Sequence, residues 1–343
     1  MEELVTSFVT PTTRKRCSIA LAVYNGERFL AQMLESLFRQ TVLPDEVVIC
    51  DDASSDATFE IVSRFCTLYA HCIRYERNPE RLGVAKNFEK AISLTTGDII
   101  FLADQDDVWL PDKIEKLRDL IAVQRHPCGV FCNSLLTNEK LQPLSCTHWQ
   151  LRRFDPGMPF RGMEQFRRCC TIAPMAGHNI AFDASFKKIL LPFPNLVACH
   201  DNWIGIILAA QEAWRVLPEI LTLYRQHDRN FSGMLKWRRQ YQLAIRSLRH
   251  NNDEWNYRLY QAFLDRMKDF APPCSDEKID FAIGRRNYSL NRKNLSRTFL
   301  KRVMPVAKLI LNGSYRRYGR GWKNAVQDLF LRSFFFPEAT HNA

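Results

Sequence analysis

Four short apolar runs, each closed by polar or acidic residues and separated from the next by helix-patterned sequence, decide what this chain can fold into. "CSIALAV" ends at the turn "YNG", "DEVVICDD" ends in Asp51 and Asp52, "CIRYERN" follows, and "GDIIFLAD" runs into "QDDVWLPDKI". Between the first two, Phe29, Leu30, Met33, Leu34, Leu37 and Phe38 recur at helical spacing. "SSDATFEIVSRFC" opens with Ser and Asp cap residues, and "GVAKNFEKAISL" repeats the helical pattern. Strands joined by helices of about ten residues or more pair in parallel, since a tight hairpin joins only antiparallel neighbours. The spacing predicts an α/β fold, a doubly wound and mainly parallel sheet with helices on its faces.

In such a sheet ligands bind beyond the carboxyl ends of the strands. Asp51 and Asp52 end the second run, and Asp104, Asp106 and Asp107 end the fourth, so both groups are expected to face one crevice. A helix cap or turn uses one such side chain. Carboxylates this crowded repel one another, and a hard divalent cation, Mg2+ or Mn2+, relieves the repulsion by accepting about six oxygen ligands. Held by one or two carboxylates, it keeps positions open for a diphosphate. No G-x-x-x-x-G-K-[ST] loop is present, and "YNGERF" follows the first run in place of a G-x-G-x-x-G turn. Phosphates would therefore be gripped through metal and cationic side chains, not a glycine-rich cradle.

Beyond Gly129 the alternation weakens. "GHNIAF" (177–182) reads as a turn entering a strand, "HDNWIGIILAAQ" (200–211) as a helix with Asp201 at its start, and "RVLPEILTLYRQH" as a strand. From Met234 the chain turns helical and basic. The net charge of +11 divides there: 22 Lys/Arg against 9 Asp/Glu follow (+13), leaving 26 against 28 before it (−2). The expected organisation is an N-terminal tail (1–15), a sheet-bearing domain (16–233) and a basic helical C-terminal region (234–343).

Phe281 to Gln327 holds twelve Lys/Arg and no acid. Within it "LSRTFLKRVMPVAKLIL" groups Leu295, Phe299, Leu300, Val303, Val306, Leu309 and Ile310 near one side, with Arg297, Lys301, Arg302 and Lys308 around them. A basic amphipathic helix of this kind suits an anionic membrane surface. Nucleic acid is not the expected partner, because the sheet-bearing part is mildly acidic and carries no nucleic-acid motif. The first fifteen residues lack the apolar core of a signal peptide, and no run approaches the ~18 apolar residues of a spanning helix. Eleven scattered cysteines, an odd number, point to a reducing compartment. Cys128 and Cys132 in "CGVFC" have no second pair to complete a zinc site. A cytoplasmic, peripheral protein is expected.

"SIALAVYNGERFLAQMLESLFRQT", "EVVICDDASSDAT", "RLGVAKNFEKA" and "FLADQDDVWLPDKI", in this order, resemble the nucleotide-binding half of family 2 glycosyltransferases, which share the GT-A fold. With "GHNIAF", "HDNWIGI" and "YRQHDRNFSG" the resemblance is to the rhamnosyltransferase-like branch of bacterial surface-polysaccharide synthesis, over about residues 16–233.

The resemblance implies an inverting, Mn2+- or Mg2+-dependent enzyme. It would move a sugar, dTDP-L-rhamnose being the favoured donor, to a saccharide or lipid-linked saccharide acceptor. It places Tyr24, Glu27, Asp51, Asp52, Arg81 and Lys86 along the nucleotide sugar, Asp104 and Asp106 in the D-x-D positions, and Arg225 at the phosphates. His227 would join Asp104 and Asp106 at the metal, and Asp201 would be the general base. His178, Asn202 and Asp228 depart from the residues usual in the family, on the expected acceptor side. A UDP-hexose donor and a non-catalytic carbohydrate-binding protein remain the alternatives.

Overall fold

The computed structural model describes residues 14–195, 199–228, 252–268, 273–296, 298–319 and 321–331. Most of the N-terminal tail, the start of the basic region (234–251) and Arg297 lie outside the described residues.

The four apolar runs form β1 (Cys17–Val23), β2 (Glu46–Asp51), β3 (Ile73–Arg77) and β4 (Ile99–Asp104). They alternate with α1 (Leu30–Leu37), α2 (Thr58–Leu68) and α3 (Val84–Leu94). Each helix turns one apolar stripe inward: Leu30, Met33, Leu34 and Leu37 in α1, and Ala85, Phe88, Ala91 and Ile92 in α3. There follow β5 (Val108–Trp109), α4 (Lys113–Ala122), β6 (Gly129–Thr137), β7 (Pro143–Thr147), α5 (His148–Arg152) and α6 (Gly162–Thr171). The sheet-bearing part closes with β8 (Ile180–Asp183), α7 (Lys187–Leu190), α8 (His200–Ala210) and β9 (Trp214–Arg225).

The strands make one nine-stranded sheet in the order β3-β2-β1-β4-β8-β6-β9-β5, with β7 paired to β6. β3, β2, β1 and β4 run parallel, as do β6 and β9, whereas β8 is antiparallel to both of its neighbours. The weakened alternation after Gly129 corresponds to this mixed half. Ala22 pairs with Asp104 and Val23 with Asp51, so the acidic strand ends lie side by side at one edge.

Apolar clusters cover both faces of the sheet. α8 is buried almost all round, from Trp203 to Ala210, which makes it a central rather than a surface helix. Gly129 begins β6 where a Cβ would lie 2.5 Å from Leu208 and 2.7 Å from Trp214, so only glycine lets α8 and β9 close on this strand.

Three longer helices follow: α9 (Asn252–Met267), α10 (Asp276–Lys293) and α11 (Phe299–Leu311). Leu259, Tyr260, Phe263, Phe281 and Ala282 join the same cluster as Phe166 of α6 and Trp203 of α8. Tyr288, Leu295, Val306, Leu309, Tyr315 and Ala325 form a small core of their own.

α11 departs from its expected pattern. Arg302 is buried, donating to the Ser296 and Leu329 carbonyls, and Val306 and Leu309 face the small core. Phe299, Leu300 and Val303 instead point outward together with Met304 and Leu311. Periodicity finds an apolar stripe but does not tell a core-facing arc from a solvent-facing one.

Candidate active site

The ends of β1, β2 and β4, the start of α3, and the first turns of α5 and α8 enclose a cavity of about 370 Å³. Its wall carries Tyr24, Asp52, Arg81 and Val84 together with His148, Arg152, Cys199, His200, Asp201 and Asn202, and Asp104, Gln105 and Asp106 also line it.

The wall around Tyr24 and Arg81 is built by hydrogen bonds that the sequence does not display. Asp52 accepts from Asn78 Nδ2 (3.0 Å), the Leu82 N–H (2.7 Å) and the Gly83 N–H (2.8 Å), which folds the loop carrying Arg81 over the cavity. The Arg81 guanidinium lies 4.0 Å from the centre of the Tyr24 ring. Gln105 accepts from the Tyr24 N–H at 2.8 Å and donates to the Tyr24 carbonyl at 2.9 Å, locking the acidic loop to the loop after β1. Sequence reasoning missed Gln105. Its signal was a two-headed amide inside an otherwise acidic run.

Four expected nucleotide-side residues are not among those lining the cavity. Asp51 is fully buried beneath it, accepting from Ser54 and from Tyr75 Oη at 2.7 Å. Glu27 meets the Ala57 N–H at 3.4 Å. Lys86 bonds Glu89 (2.7 Å) and the Phe193 carbonyl (2.8 Å). Arg225 lies over Phe29 and donates to the Asp106 and Glu139 carbonyls and to Gln32. Its guanidinium braces the acidic loop from behind.

The acidic run divides by burial. Asp104 and Asp106 reach the cavity, whereas Asp107 is fully buried and accepts the Arg225 N–H at 3.0 Å. His227 Nε2 lies 2.7 Å from Asp106 Oδ2. His178 Nδ1 lies 3.7 Å from Asp104 Oδ2 and 3.5 Å from Asp107 Oδ2, while its Nε2 meets Ser134 Oγ at 2.7 Å. Burial, then the Asp106 charge, pushes Asp104 up to about 7, and the same causes raise Asp107 well above the usual carboxylate range. Burial also brings Lys113 down to about 8 and His178 to about 3. The spot resists holding its carboxylates ionised together.

The donor set fits a divalent cation. One ligand atom each of Asp104, Asp107 and His178 lies within 4.8 Å of the others, and Asp107 Oδ2 is buried without a hydrogen bond. Carboxylate oxygens with an imidazole nitrogen suit Mn2+ or Mg2+. Of the expected ligands, Asp104 thus sits with Asp107 and His178, and Asp106 with His227. His178 was read from sequence only as a departure on the acceptor side.

Asp201 occupies the first turn of α8 in the cavity wall, where the helix dipole favours a carboxylate. Its Oδ1 accepts the Asn202 N–H at 2.8 Å. A half-exposed carboxylate aimed at a cavity that also holds a candidate cation site can take a proton from a bound hydroxyl.

Residues 18–189, half of the chain, match the family model described as "Glycosyl transferase family 2". A dTDP-rhamnosyl transferase, RfbG of Shigella flexneri, is 33% identical over 230 residues, which are 62% of this chain and 73% of the relative. Against several other curated relatives the chain spans about half their length, 45% in one and 58% in another. Among solved structures, S. aureus TarS 1-349 in complex with UDP-GlcNAc superposes with a TM-score of 0.56 at 14% identity, covering 93% of this chain and 82% of TarS. A mannosyltransferase of Pyrobaculum calidifontis in complex with GDP-Man and Mn2+ gives 0.51 at 15% identity, covering 94% and 88%. These two likenesses support a GT-A type fold, and the family model together with the coverage of RfbG shows that the chain belongs to glycosyl transferase family 2.

Proposed function

We propose that the chain is an inverting, divalent-metal-dependent glycosyltransferase that moves a sugar from a nucleotide diphosphate donor to a saccharide or lipid-linked saccharide acceptor. The observation that carries this reading is one cavity whose wall brings together Tyr24, Asp52, Arg81, Asp104, Asp106 and Asp201. In this reading Tyr24 and Arg81 hold the nucleotide, and Asp52 shapes the loop above it. Asp104 and Asp106, with Asp107, His178 and His227 beside them, would hold Mn2+ or Mg2+. The bound cation supplies neutralisation of charge developing on the departing diphosphate. Asp201 takes the acceptor proton as that oxygen attacks the anomeric carbon, and a single base facing the leaving group implies inversion.

L-rhamnose from dTDP-L-rhamnose is the favoured donor, supported by similarity to RfbG. The second reading, a UDP-hexose, is kept open by the UDP-GlcNAc complex of TarS. Donor hydrolysis across a panel of nucleotide sugars, with Mn2+ and with chelator, separates the two. Turnover of none of them sinks the enzyme reading. Asp201→Asn is expected to lower transfer at least ~100-fold with donor affinity kept, and Asp106→Ala to weaken metal-dependent donor binding. Equal loss of donor binding in both would show the roles to be wrongly assigned.

The exposed apolar side of α11, edged by Lys301 and Lys308, supports placing the enzyme at an anionic membrane surface. Among the described residues no helix is long and apolar enough to cross a membrane.

A further inference from the structure

Two groups that share the cavity wall with Asp201 have chemistry that the transfer step does not use. The first is Arg152, the last residue of α5. Its Nε donates to His148 Nε2 at 3.3 Å, and it makes no ion pair with any described carboxylate. Its charge reaches His148, His178 and Cys199, all in the same wall.

The root of this side chain is fixed. Thr147 and Gln150 close a capping box at the start of α5, and the Trp149 N–H donates to Asn133 Oδ1 at 3.2 Å. Arg168 bonds the carbonyls of Arg152 and Arg153. Arg152 is a positioned cation without a counter-ion among the described carboxylates, near enough to Cys199, two residues before Asp201, for its charge to act there.

The second group is His200. Its ring is buried with its centre 3.7 Å from that of Phe88, it lines the cavity, and neither ring nitrogen has a hydrogen-bond partner. A Cβ on Gly177 would lie 2.3 Å from His200 Nε2, so the glycine makes room for the imidazole. Burial holds the ring below its ordinary range and hence neutral, with one nitrogen to donate and the other to accept. Either function alone can pair with a sugar hydroxyl.

We propose that the acceptor carries an anionic group, a carboxylate or a phosphate, close to the hydroxyl that is glycosylated, and that Arg152 binds this group while His200 reads a neighbouring hydroxyl. The inference rests on the proposed role of Asp201 as the base that meets the acceptor. Guanidinium is suited to both anions through paired N–H···O bonds.

The test is ligand-observed NMR and calorimetric titration of the full chain with methyl glucoside, methyl glucuronide and glucose 6-phosphate, for the unsubstituted protein, Arg152→Gln and Arg152→Lys. The two charged probes distinguish carboxylate from phosphate. At least one of them is expected to bind about 10-fold to 100-fold more tightly than methyl glucoside. The preference should disappear in Arg152→Gln and return in part in Arg152→Lys.

Thermal melting shows whether each variant is folded, and the lysine variant keeps the test open if glutamine is not tolerated. No preference for a charged probe in the unsubstituted protein, including no binding at all, overturns the proposal. So does a loss of dTDP and UDP affinity in Arg152→Gln as large as the loss of anion affinity, which would assign Arg152 to the donor. Probe binding is read without turnover, so its failure and a failure to hydrolyse any nucleotide sugar are separate results.

Discussion

Lys113 is the buried counterweight to the acidic run. Its Nζ donates to the His178 carbonyl at 2.6 Å and to Thr222 Oγ1 at 2.8 Å and lies 3.7 Å from the Trp109 ring centre, while its charge offsets Asp107 and Asp104. Lys113→Met should remove both buried hydrogen bonds and the charge that offsets Asp107 and Asp104, and cost ~3–5 kcal/mol in urea unfolding; a cost under ~1 kcal/mol would show that the charge is not needed. Ala53, directly after Asp51 and Asp52, has φ +59°, a conformation an L-residue adopts at a cost of ~1–2 kcal/mol. Ala53→Gly is expected to melt no lower than the parent, whereas β-branched Ala53→Val should lose ~1–3 kcal/mol. Asp52, Asp104, Asp106 and Asp201 were legible because strand and helix patterns fix where those residues emerge, whereas Asp51 turns into the interior toward Ser54 and Tyr75. Lys86 and Arg225 were not, since their directions depend on the Phe193 carbonyl and on Gln32, 107 and 193 positions away.

Among the elements, β1 to β4 with α1 to α3 were legible because apolar spacing and turn residues there agree. α11 shows where that agreement runs out: nothing local foretells that the Ser296 and Leu329 carbonyls draw Arg302 inward. Leu300, Met304 and Leu311 are left 78%, 76% and 88% exposed, an arc too apolar for a purely solvated face. Sedimentation with phosphatidylglycerol vesicles should fall at least ~10-fold in a Leu300→Glu/Met304→Glu/Leu311→Glu variant, and should be weak with phosphatidylcholine alone. Undiminished sedimentation of the triple variant would remove α11 from the membrane contact.

For the molecule as a whole, burial raises many thiols at once. Cys17, Cys50, Cys170 and Cys199 are pushed up to about 12, and Cys72, Cys128 and Cys132 to about 11. A thiol raised in the folded state loses its proton first in the unfolded chain. This contribution to stability is therefore intact below the ordinary value of 9.0 and fades as pH climbs toward the folded values. Melting temperature under reducing conditions is expected to fall progressively from pH 9 to pH 11, and a flat profile would contradict the burial of these groups. The shift of charge near Gly233 was legible, but it does not mark a gap in packing. α9 and α10 share a cluster with α6 and α8, and Tyr288 of α10 in turn meets the small core under α11. A chain of contacts thus runs from the outer arc of α11 to the helix that bears Asp201. A surface that held α11 would therefore be joined to the helix bearing Asp201 by packed side chains, so that the reach of an acceptor would depend on the body of the protein.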